Sequence, residues 1–504
     1  SDMTYQILAA QNFLEGHGIS SATILSSDLS MIVYDPVVKW PPGFTLLFTP
    51  LYVLFSKDYI MAALALGIIC STLLIFASRS ILKILGTPYY LINLYTLLSG
   101  FFGYYFYTKP FTDAIAITFF IIAIYYTLLL LKTHERLLRN VVFLSTSLIL
   151  CGFIKYMFIP AIFLIPGFLF IKGLTRKEPW LKKAGLISFM SLLLVFGALF
   201  IYQAGIHGSI AYIKEPGRGF FPENLGSSFP FITASFIKPD SLQQLPLFPA
   251  GSNAFLFHVY QVTSFAIFLI IIFYCLRRMI RPGHTKRSAT EDFFHLSLLV
   301  SATLVILLIL LSLRVAKEPL DDGMSWTYVE EPRYYGLLNV LIHIAVFASY
   351  PFYKTAKSKL GRLLLPALVL FMLPEMFRGI AFTAHRIQWF NKEIYGWQYE
   401  LQFQKNVKEI VAKTELIERD RNIILTGTSD WMTLRASLYC HLPVFEDVSK
   451  LNTISELKTT KPVTLLAIIK DNDMNAYKSF ISLDGVKQEG QANGFSFYTY
   501  NLHP

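Results

Sequence analysis

Apolar residues run long enough to cross about 30 Å of hydrocarbon, roughly 17–25 helical residues, near 59–80, 88–106, 110–131, 140–158, 184–206, 254–277, 292–314, 334–353 and 363–380. A shorter run covers 158–171. The pattern therefore predicts a polytopic α-helical membrane protein with about ten spans. The segment 44–55 is apolar too, but as a helix it reaches only about 18 Å. It is expected to lie along a membrane interface. Beyond residue 380 the pattern becomes that of a soluble unit, opening with an amphipathic helix near 395–416. Strand-like runs follow at Asn422–Gly427, Val463–Lys470 and 494–502, with a helical stretch at 431–440 between the first two. This alternation predicts a small C-terminal α/β domain over 381–504, after a membrane domain over 1–380 that includes a first loop at 1–58.

Composition strengthens the membrane assignment. The 504 residues are 54% hydrophobic and 15% charged, with a mean hydropathy of +0.49, too apolar for an ordinary soluble chain. Aromatic residues, 44 Phe and 28 Tyr against 6 Trp, suit lipid-facing and interfacial positions. Of the cysteines, Cys70, Cys151 and Cys275 fall inside apolar runs and Cys440 stands alone, so neither a disulfide framework nor a cysteine metal site is readable. The first residues are polar and loop-like, and a helix is expected to precede them.

The net charge of +11 is explained by where the basic residues sit. Clusters at Arg79/Lys83, Lys132/Arg136/Arg139, Lys172/Arg176/Lys177/Lys182/Lys183, Arg277/Arg278/Arg281/Lys286/Arg287 and Lys354/Lys357/Lys359/Arg362 occupy alternate connections. The positive-inside rule puts them in the cytoplasm, and no nucleic-acid partner is needed. Residues 1–58, the turns near Lys109 and Lys155, the loops 207–253 and 315–333, and everything after 380 then face outward from the cytoplasmic membrane.

The outer connections hold the residues that could carry chemistry, since charges near the membrane are costly unless they function. The first loop carries Asp2, Asp28, Asp35 and Lys39. The next turn holds Lys109 and Asp113, Lys155 lies between two spans, and Glu330-Glu331-Pro332-Arg333-Tyr334 enters a late span.

The order of these features resembles the GT-C superfamily of membrane glycosyltransferases, in particular the branch of protein O-mannosyltransferases and the lipid A aminoarabinose transferase. The resemblance rests on Asp2 at the head of a stretch ending Gly16-His17-Gly18, on Lys39-Trp40-Pro41-Pro42-Gly43 leading into 44–55, on Pro110 followed by Asp113, and on Pro332-Arg333-Tyr334. It implies an inverting transferase that takes a sugar from a polyprenyl phosphate at the outer face of the membrane.

Chemistry supplies an independent reason for these residue types. An acceptor hydroxyl must lose a proton as the sugar passes through an oxocarbenium-like state, which makes Asp2 the candidate base. Fixed cations stabilise the departing lipid phosphate, with Lys39, Lys155 and Arg333 as candidates and Asp35, Lys109, Asp113 and Tyr334 in support. The implied partners are a polyprenyl-phosphate sugar, membrane lipids and an acceptor the residues do not identify. A divalent metal is compatible with the chemistry, but no ligand set is readable.

Blander readings stand beside these. Lys39 can snorkel beside Trp40, Arg333 can pair with Glu330 or Glu331, and Asp113 can cap its helix. His17 and Asp28 read more readily as loop polarity than as metal ligands. Two other functions remain open. A transporter or lipid flippase would show broken helices and repeat symmetry. An O-antigen polymerase or ligase would carry a larger central outer loop and no long soluble tail.

Overall fold

The computed structural model describes residues 2–24, 27–37, 40–107, 112–207, 219–224, 289–314, 318–319, 325–326, 334, 336–350, 366, 397–417, 422–492 and 494–504. The expected spans 254–277 and 363–380 lie outside these residues. In chain order the helices are α1 (Asp2–Leu14), α2 (Gly43–Leu54), α3 (Tyr59–Ile84), α4 (Tyr89–Tyr107), α5 (Thr112–Lys132), α6 (Leu137–Ile154), α7 (Ile159–Thr175), α8 (Pro179–His207), α9 (Ala289–Ser312), α10 (Gly336–Ala348), α11 (Trp397–Ile417) and α12 (Asp430–Cys440). Strands β1 (Ser20–Ile24) and β2 (Ile32–Pro36) lie in the first loop, and β3 (Glu318–Pro319) and β4 (Ser325–Trp326) form a minimal hairpin. Near the C-terminus come β5 (Asn422–Gly427), β6 (Val463–Lys470), β7 (Lys487–Ala492) and β8 (Phe495–Leu502).

The chain divides into two compact units, one of Ser1–Tyr59 with Ala384–Pro504, the other of Ile60–Thr383. The first loop, expected from sequence to belong with the membrane helices, thus packs with the C-terminal segment. Six stretches among the described helices are long and apolar enough to cross a membrane, namely Met61–Ile84, Thr112–Lys132, Leu137–Ile154, Tyr156–Thr175, Pro179–Gly205 and Ala289–Ser312. The protein is therefore a multi-pass membrane protein.

In the helical unit α5 is central. Apolar residues surround it, so it buries itself on all sides, and Asp113 in its first turn and Lys132 in its last complement the helix dipole. Thr118 donates to the carbonyl of Cys70 on α3 at 3.2 Å. The α7/α8 hairpin is tight because of a glycine. A Cβ at Gly185 would stand 2.7 Å from the backbone nitrogen of Phe170 and the carbonyl oxygen of Pro166, the small-residue packing typical of membrane helices. Exposed Leu186, Leu193, Leu194 and Ile201 on α8 suit contact with lipid.

In the other unit, β5 and β6 pair in parallel, β6 and β8 antiparallel, and the edge strand β7 pairs antiparallel with β8. β6 is buried from Val463 to Ile469 because both faces are covered. Phe403, Val407 and Val411 of α11 pack with Leu466 and Ile468. Leu451, Ile454 and Phe480 pack with Val463, Leu465 and Ile469. The hairpin β1–β2 extends this sheet through one residue, since Val444 bridges in parallel to both Thr23 and Leu425. Asp28 fastens the same loop, accepting from Ser30 N (2.9 Å) and Ser30 Oγ (2.6 Å), and from Thr460 Oγ1 (2.8 Å) and Thr460 N (3.2 Å). Those donors, first the Ser30 hydroxyl, hold its carboxyl down at about 2.

Helix α2 packs on α1 with Phe44, Phe48 and Tyr52 almost wholly buried, and Thr45 donates to the Gln6 carbonyl at 3.0 Å. Its opposite face leaves Val53 and Leu54 55% and 72% exposed.

Candidate functional site

The helical unit sorts its charges to opposite ends. At one end lie the basic turns between α5 and α6 and between α7 and α8, the first beside Trp180 of α8 and the second closed on a buried acid. Arg176 Nη2 donates to Asp292 Oδ1 at 2.6 Å, and Lys172 Nζ lies 3.0 Å from the same oxygen. Asp292 is in the first turn of α9, and the neighbouring Thr290 donates to the Leu85 carbonyl just past α3 at 3.3 Å.

At the other end, the start of α5 meets the α6–α7 turn. Lys155 takes an extended conformation (φ −148°, ψ 111°) that ends α6, and a single 3₁₀ turn, Tyr156–Phe158, leads into α7. That break aims the Lys155 ammonium at the Asp113 carboxylate, Nζ to Oδ2 3.4 Å. The Lys155 side chain is 12% exposed and that of Asp113 1%. Tyr334, just before α10, offers its ring to the same ammonium, 5.3 Å from the centroid, within cation–π range. Oδ1 of Asp113 is buried and has no hydrogen-bond partner among the described residues.

The turn is braced from outside the charged group. Gln203, near the end of α8, donates to the Tyr156 hydroxyl at 2.6 Å. Elsewhere in the unit, Asn224 donates to the Ser312 carbonyl at the end of α9 at 2.9 Å. Gln203 does not stand out in the sequence, because a lone amide in an apolar run carries no pattern. A separation of 42 residues between Asp113 and Lys155 likewise gives no local signal.

The structure thus brings Asp113, Lys155 and Tyr334 together. Asp2 is the first residue of α1. Lys39, Lys109 and Arg333 lie outside the described residues. Asp35, on β2, accepts from Thr23 Oγ1 across the hairpin at 3.1 Å, an exposed contact that explains its presence without a ligand. His17 stacks on Tyr34, centroids 3.7 Å apart. Among the described residues no group of three or more His, Cys, Asp or Glu is placed to hold a metal ion.

No family model matches the chain, and no curated protein does. Its structural likeness is to ArnT and AglB. ArnT from Cupriavidus metallidurans bound to undecaprenyl phosphate aligns with a TM-score of 0.48 at 11% identity, covering 98% of this chain and 92% of that one. The apo state of that protein aligns over the same shares with a TM-score of 0.46. The archaeal oligosaccharyltransferase AglB from Archaeoglobus fulgidus, in complex with an inhibitory peptide and a dolichol-phosphate, aligns with a TM-score of 0.45 at 12% identity, covering 95% of this chain and 66% of that one. Scores and identities this low assign neither a family nor an activity.

Proposed function

We propose that this protein is an inverting glycosyltransferase of GT-C type, with about ten spans, that moves a sugar from a polyprenyl phosphate to an acceptor hydroxyl at the outer face of the cytoplasmic membrane. The observation that carries the reading is the buried Asp113–Lys155–Tyr334 group at the end of the helical unit opposite its basic turns. Basic turns belong on the cytoplasmic side, so the opposite end faces outward, where a lipid-linked sugar can be used. A lysine held at the bundle end by a carboxylate and an aromatic face presents ammonium donors in a low-dielectric setting, where they stabilise a phosphate strongly.

The acceptor oxygen attacks the anomeric carbon from the face opposite the phosphate, the carbon–oxygen bond to the phosphate breaks, and the configuration inverts. Asp2 takes the hydroxyl proton. The electron pair leaves on the lipid phosphate, whose growing charge Lys155, Lys39 and Arg333 offset, Arg333 with a fork suited to two phosphate oxygens. Lys109 adds positive charge. The exposed face of α2 lies in the outer interface.

Purified protein offered radiolabelled polyprenyl-phosphate sugars, with transfer and hydrolysis both measured, tests this. Asp2→Asn should abolish turnover and leave donor binding intact. Arg333→Ala should weaken both, because phosphate charge is present in ground and transition states alike. Near-normal transfer by Asp2→Asn would remove the base, and no turnover of any such donor by the parent protein would remove the function.

A further inference from the structure

The unit formed by the first loop and the C-terminal segment holds a small cleft, partly open to solvent, between α1, the β1–β2 hairpin, α12 and the chain leading to Val444. Tyr5 and Tyr34 line it, and each ring is held by a stacked neighbour, Tyr5 on Trp40 at 4.6 Å and Tyr34 on His17 at 3.7 Å. Fixed aromatic rings of this kind are an inexpensive surface for a flat ligand, because little side-chain freedom remains to be lost.

The formally charged groups of the lining are all of one sign. Asn12 already donates to the Ser20 carbonyl at 2.8 Å, and Ser437 already donates to the Leu442 carbonyl at 2.6 Å. Gln11 is 4% exposed. Its amide nitrogen is committed to Tyr52 Oη at 3.0 Å and to the Leu438 carbonyl at 3.4 Å, which fixes the amide orientation and leaves Oε1 buried without a partner. Glu15 and Glu446 add two carboxylates, and the lining contains neither Lys nor Arg. Ser21, Thr23, His441 and the two tyrosine hydroxyls supply donors as well as acceptors, so the cleft is distinguished by its negative charge and by the open Gln11 acceptor. A buried acceptor left open is satisfied by a ligand that brings donors. The charged oxygens of a phosphate or carboxylate bring no donor and meet repulsion from the two glutamates.

We propose that this cleft is a saccharide subsite for a hydroxyl-rich sugar without anionic groups, whose hydroxyls donate to Gln11 and Glu15 while a ring face lies against Tyr34. As the acceptor subsite it rests on the transferase reading, and it then names the acceptor class as a glycan, supplied by an earlier glycosylation that leaves a neutral terminal sugar. As a saccharide site it does not need that reading. Tyr5 is one helical turn from Asp2 on α1, so the cleft begins about 4.5 Å along the helix axis from the proposed base.

The test is binding by calorimetry to the full chain in lipid nanodiscs. The probes are neutral N-acetylchitotetraose and the anionic tetragalacturonate. The neutral probe should bind at least about tenfold more tightly, equivalent to about 1.4 kcal/mol. Tyr34→Ala should weaken it by about tenfold, and the exposed pair Glu15→Gln with Glu446→Gln should bring tetragalacturonate to within about threefold of it. Absence of neutral binding, equal binding of the two probes, or an unchanged preference in the double variant would overturn the proposal. If the donor assay shows no transferase while this binding persists, the transferase reading fails and the saccharide site stands.

Discussion

Lys155→Met separates the two jobs assigned to Lys155, holding the bundle end together and meeting a phosphate. Methionine keeps much of the stem's length and removes the charge. It leaves the Asp113 carboxylate, 1% exposed, without the cation 3.4 Å from Oδ2, while Oδ1 already has no partner among the described residues. Removing one member of a buried pair costs about 3–5 kcal/mol, because the remaining charge stays out of water. The loose 3.4 Å contact, longer than the roughly 2.7–2.9 Å of a strong charge-assisted bond, puts the expectation at about 3 kcal/mol. Asp113→Asn in the same chain removes the stranded charge and should recover about 1–3 kcal/mol, a coupling that a double-mutant cycle isolates. Unfolding of the purified protein in mixed micelles, monitored by fluorescence, measures the stability. Donor affinity should not recover with it. A charged hydrogen bond is worth about 1.5–3 kcal/mol, so the double variant should bind a polyprenyl-phosphate sugar about 10- to 100-fold more weakly than the parent protein despite its restored fold. Equal stability of the single and double variants would refute the pairing argument. Parent-like donor affinity in the double variant would refute the phosphate role.

Two further outcomes follow from other contacts. Asp28 has its folded pKa lowered to about 2 from an ordinary 3.8, so its stabilising effect is complete above about pH 4 and is lost as pH falls toward about 2; the gap in thermal unfolding between the parent protein and Asp28→Ala should be constant at higher pH and close over that window, and a gap unchanged at pH 2 would show that the clamp is not electrostatic. Gly185→Leu should destabilise the α7/α8 hairpin by about 1–3 kcal/mol through overpacking against α7 backbone, whereas Gly197→Ala on the same helix, where a Cβ meets nothing within 4 Å, should be neutral or slightly stabilising; similar losses for both would mean that close packing at Gly185 is not the cause.

Much of the architecture was legible because it follows from periodicity. The strands at Asn422–Gly427 and Val463–Lys470 appear with the bounds their β-branched, apolar runs suggest. Strand β7 was not foreseen, because Lys487-Gln488-Glu489-Gly490-Gln491-Ala492 is polar throughout, and its place depends on backbone pairing with β8 at a sheet edge. The hairpin in the first loop was also missed. Ile32-Val33-Tyr34 carried a signal for it, but β1 is short and takes its place through Val444, more than 400 residues away. That long-range bridge is also why the division of the chain into units could not be read from composition. Asp28 looked like loop polarity, and its partner Thr460 lies 432 residues on. At the candidate site, residue types were legible from the cost of charge near lipid, while the pairing of Asp113 with Lys155 and the bracing by Gln203 depend on tertiary packing.

The bridge through Val444 makes the protein's assembly a matter of timing. The ribosome produces the β1–β2 hairpin about 410 residues before Val444, the residue through which it joins the sheet; at about 5–20 residues per second, the hairpin waits roughly 20–80 s for it. Throughout that interval its edge is open to pairing with other chains. A cell producing this protein must therefore keep an unfinished edge shielded until Val444 has been made, and a premature stop anywhere before Val444 would leave that edge without its native partner.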